Sequence, residues 1–331
     1  AGRVQTVALR MIVDRELEIR AFRTEEYWNL TARLAASAPP EFFARARAID
    51  GKKWNVRDGE TAQGIVEEIR HSPFLVRSIH RREKKRYPVP PFTTSKLQQD
   101  AARKFNFSVK KTMNLAQRLY EGVELGEEGS VGLITYMRTD STRVSEAALH
   151  EVRTLIQGTY GDSYLPHHPI YYKSKKTAQA AHEAIRPTSV ERSPQSLKPY
   201  LEPDLLRLYS LIWQRFVASQ MNPAVFDQTD VVIDAGRVEF RAVGSLLKFD
   251  GFLAVYQEAR SEDKKPDQDE QDGLLPQLTE GDQLELKALQ PTQHFTEPPP
   301  RYTEASLVKA LEARGIGRPS TYATILSTIQ D

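Results

Sequence analysis

The chain has 331 residues, 40% of them hydrophobic, with 46 lysines and arginines against 44 aspartates and glutamates, for a formal charge of +2. That length is a prior of two or three domains with real cores, and the near balance means that any basic surface comes from segregated charge, not net charge. There is no cysteine, which excludes disulfides, a thiol nucleophile and cysteine-ligated zinc, and no apolar run long enough for a membrane span or a signal peptide, so a cytoplasmic protein without a membrane partner is expected.

Val4, Val7, Ala8, Met11 and Ile12 follow helical spacing and predict a helix over 3–20, with Arg3, Thr6 and Arg10 on its other face. That face reads either as solvated or as a phosphate-facing stripe. From Tyr27 the period becomes two: Trp28, Leu30, Ala32 and Leu34 alternate with polar residues, as do Phe42, Ala44, Ala46 and Ala48, and Phe74–Ile79 is a further strand. The basic run His80–Arg86 reads as a solvated edge or linker, bounded by Pro88, Pro90 and Pro91. Thr94 or Ser95 can cap a helix through Phe105, and Ser108 can cap another over 109–121. Leu133–Arg138 reads as a strand. Ser145 can cap a helix over 146–157, a loop covers 159–175, and a helix carrying His182 ends at Pro187. Pro203 opens a long helix with Leu205, Leu208, Tyr209, Ile212 and Phe216 on one side.

Strands return over 224–256, with a hairpin signal at Asp234–Arg237, and again at Leu284, Leu286 and Ala288. The acidic stretch 260–273 between them reads as a surface loop rather than a metal loop, because Lys264, Lys265 and Gln268 interrupt it. Two helices close the chain, from Thr303 to Ala313 and from Ser320 onward, joined by Gly315–Pro319. The order predicts nested units: two strand regions pair, and a helical block is inserted between them. Neither end carries a helix boundary signal, so a piece of a longer protein is expected.

The chemistry concentrates at Tyr136. In a strand it shares a face with Arg138, and Thr139, Asp140, Ser141 and Thr142 follow. A lone tyrosine is usually a packing residue. A phenol titrates near about 10 and needs a cation or base beside it to act as a nucleophile, and a guanidinium there suits attack on a phosphodiester. His182 and Arg186, one helical turn apart, can hold a phosphate or simply close a helix end. Arg318 and Tyr322 sit where glycines lead into a helix N-terminus, an anion site or an ordinary link. No P-loop spacing occurs, so nothing suggests nucleotide-driven work.

Five segments, AGRVQTVALRMIVDRE (1–16), PFTTSKLQQDAARK (91–104), GLITYMRTDSTRVS (132–145), AHEAIRPT (181–188) and EASLVKALEARGIGRPSTYATI (304–325), resemble in order the bacterial type IA DNA topoisomerases. Met137 is similar to the topoisomerase I subgroup, where the topoisomerase III subgroup has proline. The resemblance implies a multidomain, toroidal fold of mixed α and β, with a helical domain inserted in a β-rich arch. It assigns 1–20 and 293–331 to part of a helical domain binding single-stranded DNA, 21–88 and 223–292 to the arch, and 89–222 to a mobile helical domain.

It further implies that Tyr136 cuts one strand through a 5′-phosphotyrosyl bond, that Arg138 stabilises the scissile phosphate, and that His182 lies near it with Arg186 in support. Ala1, Gly2, Arg3, Val4, Gln5 and Arg10 would lie along the single strand, and Arg318 and Tyr322 beside the gate. Relaxation of negatively supercoiled DNA without ATP, by a monomer at the nucleoid, is the implied activity. Mg²⁺ is the implied cofactor, its acidic ligands belonging to a Toprim domain with no counterpart here, so the segment alone is expected to be inactive and to hold no metal. A non-catalytic single-stranded DNA-binding arch, stacking bases on Tyr27, Trp28 and Phe42, is the competing expectation. A purely structural scaffold is the third.

Overall fold

The computed structural model describes residues 2–173, 182–258 and 273–330. Helix α1 (Arg3–Ala21) buries Ala8 and Met11 and leaves Arg3, Thr6 and Arg10 exposed; Val7, expected on the apolar side, is exposed with them, as are Leu9, Val13 and Leu17. Strands β1 (Glu26–Ala35), β2 (Phe42–Ile49) and the short β3 (Lys52–Lys53) follow. Leu30, Ala32, Leu34, Phe42, Ala44 and Ala46 are buried while Arg33 and Phe43 are exposed, as a period of two requires. No strand pattern marks 59–69, where α2 (Gly59–Ile69) lies. Its cap, Asp58, accepts the Thr61 N–H at 2.7 Å, and Ala62, Ile65, Val66 and Ile69 form its buried face.

Strand β4 (Phe74–Arg86) corrects the reading of the basic run. His80–Arg86 is not a linker but its second half, paired residue by residue with Asp230–Ala224 of β7 (Ala224–Ala235). The ladder uses main-chain groups, so charged side chains are tolerated where water reaches them; Arg82 also donates to Gln228 at 2.9 Å. The predicted hairpin forms between β7 and β8 (Val238–Phe249), with Gly236 at φ 58° in the turn. Strand β9 (Gln283–Phe295) pairs with β1 and briefly with β4. The pairings run β1–β9–β4–β7–β8–β2 and back to β1, all antiparallel, so six strands close a ring. Its core joins their inward residues, among them Val231, Ile233 and Phe240, to the apolar face of α2.

The helical block is inserted between β4 and β7, two strands that pair with each other. It contains α3 (Thr94–Phe105), α4 (Val109–Glu121), the small pair β5 (Val123–Glu124) and β6 (Ser130–Val131), α5 (Glu146–Tyr160), α6 (Pro194–Leu197) and α7 (Pro203–Ser219). Leu205, Leu208, Tyr209, Ile212 and Phe216 of α7 are buried in a second core with Phe92, Leu119, Leu133 and Val152. A third core joins α1 to α8 (Glu304–Ala313) and α9 (Tyr322–Gln330). Ala1, residues 174–181 and all of the acidic stretch except Gly273 lie outside the described residues.

Candidate active site

The segment around Tyr136 is not the expected strand. Only Ile134 makes a bridge, to Pro187, because the main chain of 133–139 is shared among three segments. The Leu133 N–H donates to the Leu119 carbonyl at 2.7 Å, the Thr135 N–H to the Arg186 carbonyl at 2.9 Å, and the Thr139 carbonyl accepts from the Thr94 N–H at 2.9 Å. Exposure still alternates: Tyr136 and Arg138 are exposed, while Met137 and Thr139 between and after them are buried. Both side chains thus stay open to solvent, as the expected pairing of phenol and guanidinium requires, although the strand is lost.

The expected helix through His182 is corrected as well. Its portion at 174–181 lies outside the described residues, and 182–187 is extended, with Ile185 bridged to Phe92. The residue before a proline disfavours the helical region. Other partners also take the main-chain groups: Ala184 N–H donates to Arg143 at 2.8 Å and Ile185 N–H to Phe92 at 2.8 Å. His182 and Arg186 are thus not neighbours on a helix face.

His182 reaches Tyr136 by another route. The Thr135 hydroxyl donates to the Ala184 carbonyl at 2.7 Å and accepts the Arg186 N–H at 3.0 Å, which fixes the two segments side by side. The Tyr136 ring meets the His182 ring edge-on at 5.8 Å and the Tyr120 ring at 5.4 Å. After Arg138 the loop is tied to itself: Thr139 Oγ1 accepts the Ser141 N–H at 3.0 Å and Ser141 Oγ accepts the Arg143 N–H at 3.1 Å.

The two arginines differ. Among the described residues no carboxylate pairs with Arg138. Arg186 turns inward, donating to Glu183 at 2.8 Å, to the Pro187 carbonyl at 2.9 Å and to Ser145 at 3.4 Å. Of the other expected contacts, Gly2 and Arg3 are exposed, Val4 and Gln5 are half-buried, and Arg10 is exposed but pairs with Asp14 at 2.7 Å. Arg318 is exposed and donates to the Gly317 carbonyl at 3.0 Å. Tyr322 is buried in the third core, and burial pushes its phenol up to about 12. Glu312 and Asp140 add to that rise and Arg318 opposes it.

The sequence alone offers Thr94 only as a possible helix cap and gives no role to Thr135 or Tyr120; Thr94 and Thr135 lie within two of the five segments, but the partners of their hydroxyls are not visible from spacing. No cluster of three or more His, Asp or Glu side chains among the described residues is arranged to hold a metal ion, so the described residues do not fit Mg²⁺. No helix among them is long and apolar enough to cross a membrane.

The whole chain, residues 1–331, matches the family model described as DNA topoisomerase. It is 49% identical to DNA topoisomerase 1 of Rickettsia bellii (strain RML369-C), covering 100% of this chain and 42% of that protein. Against DNA topoisomerase 1 of Xylella fastidiosa (strain 9a5c) it is 50% identical, covering 99% and 41%. The solved structure of full-length topoisomerase I from Thermotoga maritima superposes with a TM-score of 0.81 at 38% identity, over 99% of this chain and 51% of that one. The chain spans less than half the length of these curated relatives. A match along the entire sequence, together with the same fold, means that the chain belongs to the type IA DNA topoisomerase family.

Proposed function

We propose that the protein relaxes negatively supercoiled DNA by cutting one strand, passing or bridging the other, and resealing, with these residues supplying the nucleophile. Tyr136 Oη attacks the scissile phosphorus; the Oη–P bond forms as the P–O3′ bond breaks. The phenolic proton is lost, and the departing 3′ oxygen takes up a proton. Arg138 stabilises the charge that develops on the phosphoryl oxygens, and His182 lies beside the ring to meet the same phosphate. The phosphotyrosyl bond conserves the energy of the phosphodiester, so resealing is the reverse reaction and needs no ATP.

One observation carries this reading: an exposed tyrosine with a histidine ring edge-on at 5.8 Å and, two residues on, an exposed arginine with no carboxylate partner among the described residues. Arg186 supports the site from within. Gly2, Arg3, Val4, Gln5, Arg10 and Arg318 lie along the single strand. The three cores correspond to the single-strand-binding, arch and tyrosine-bearing domains. The enzyme works as a monomer on DNA at the nucleoid. Its Mg²⁺ dependence belongs to the whole protein, and the segment alone does not complete the cycle.

The test uses the natural full-length protein with Mg²⁺ and a 3′-end-labelled single-stranded oligonucleotide, quenched in denaturant. Wild type is expected to carry label covalently, and Tyr136→Phe to carry none while binding the oligonucleotide as before. Salt-sensitive binding with no Tyr136-dependent adduct would leave a DNA-binding arch and sink the proposed nucleophile.

A further inference from the structure

Thr94 has no part in the reaction just proposed, yet its polar groups converge on the two residues that flank Arg138. It is fully buried at the first position of α3. Its hydroxyl donates to the Met137 carbonyl at 2.7 Å, with the Thr139 carbonyl at 3.0 Å as a second acceptor, and accepts the Thr139 N–H at 2.8 Å. Its own N–H donates to the Thr139 carbonyl at 2.9 Å. A hydroxyl has one proton and two lone pairs, so donation to Met137 and acceptance from Thr139 hold at the same time.

These bonds fix the main chain immediately before and after Arg138. That residue needs such a hold, because no carboxylate among the described residues aims its guanidinium. The anchor is itself on a firm element. Asp100, further along α3, accepts from the Tyr256 hydroxyl and lies 3.8 Å from the Arg215 guanidinium of α7, all three side chains being buried.

We infer that Thr94 is a positioning residue for Arg138, holding residues 137–139 so that the guanidinium starts from one place over the scissile phosphate. The inference rests on the reading of Tyr136 and Arg138 given above. Valine at this site keeps the shape and loses both hydroxyl bonds, whereas serine keeps the hydroxyl.

The experiment measures single-turnover adduct formation by the full-length protein, with oligonucleotide affinity measured separately in the Tyr136→Phe background. Thr94→Val is expected to slow adduct formation by about tenfold or more, since small misplacements at a reacting centre are costly, with affinity within about twofold of the parent. Thr94→Ser should stay within about threefold of wild type, because it retains the hydroxyl. In an Arg138→Ala background Thr94→Val should change the rate by less than about twofold, the signature of two residues acting as one.

A merely structural role predicts the opposite: the same loss with or without Arg138, or Thr94→Ser as slow as Thr94→Val. Either result overturns the inference even if the valine variant folds poorly, since damage to the fold would slow the Arg138→Ala background too. An adduct that needs Tyr136 and Arg138 but is indifferent to Thr94→Val overturns the Thr94 role alone. Absence of any Tyr136-dependent adduct overturns the reading beneath it as well.

Discussion

Arg138 and Arg186 are the same side chain on two segments joined through Thr135, and their surroundings set them different tasks. Arg186 is 12% exposed and bonded to Glu183, so its charge is already matched. Arg186→Ala should lower stability by about 1.5–3 kcal/mol, the worth of hydrogen bonds to a charged group, and leave the salt dependence of single-strand binding unchanged. Arg138→Ala should do the reverse, reducing the salt slope by about one while barely moving the unfolding midpoint. Denaturation curves and salt titrations of oligonucleotide binding decide the matter; a reduced salt slope for Arg186→Ala would put that guanidinium on a phosphate. The sequence made Tyr136 and Arg138 legible because alternation along an extended chain is a local property that needs no ladder. It could not reveal Thr94 or Thr135, whose hydroxyl partners lie 43 and 49 residues away along the chain. Nor could it separate the two arginines, since what distinguishes them is the company each keeps in the fold.

Among the elements, helix starts show how far local chemistry reaches. Ser108 reads as a cap and is one: its Oγ accepts the Lys111 N–H at 3.1 Å, and Glu304 of α8 adds a carboxylate on the Val109 N–H at 2.5 Å. Thr93 occupies the same position before α3, but its hydroxyl faces the Ser95 hydroxyl at 3.3 Å and makes no cap bond. Ser108→Ala should therefore cost about 1 kcal/mol, and Thr93→Ala clearly less, read from urea midpoints of the two variants side by side. Equal losses would mean that the α3 start relies on a cap bond this geometry lacks. Elements whose signal is a period were readable, as β1, β2, α4 and α7 show. The basic half of β4 was not, because its partner strand begins more than a hundred residues later and its side chains carry no apolar alternation. The extended run 182–187 was missed for a similar reason: its bridges to Phe92 and Ile134 are tertiary, and only Pro187 hinted at them. Helix α2 was readable in principle, from Asp58 and the spacing of Ala62, Ile65, Val66 and Ile69.

At the scale of the whole molecule, buried polar anchors tie the helical body to the chain that enters and leaves it. Arg215 of α7 donates to the Pro90 carbonyl at 2.6 Å, where the chain arrives from β4, and to the Tyr256 hydroxyl at 3.0 Å, on the segment that follows β8. Tyr209 donates to the Arg192 carbonyl at 2.5 Å, and Tyr322 sits in the core that joins α1 to α8 and α9. Burial holds all three phenols above their ordinary range, Tyr322 at about 12 and the other two higher still. In the unfolded chain each titrates near about 10. Below that pH both states keep the proton and these groups leave stability flat. Above it the unfolded chain loses protons that the folded one retains, so stability falls with rising pH, by at most about 1.4 kcal/mol per pH unit for each phenol. Thermal midpoints should thus drop steeply between about pH 10 and 12, and Tyr322→Phe should shallow the slope there without changing it near neutrality. An alkaline slope identical in wild type and Tyr322→Phe would mean that this ring ionises in the folded state and that the third core admits water where its packing denies it.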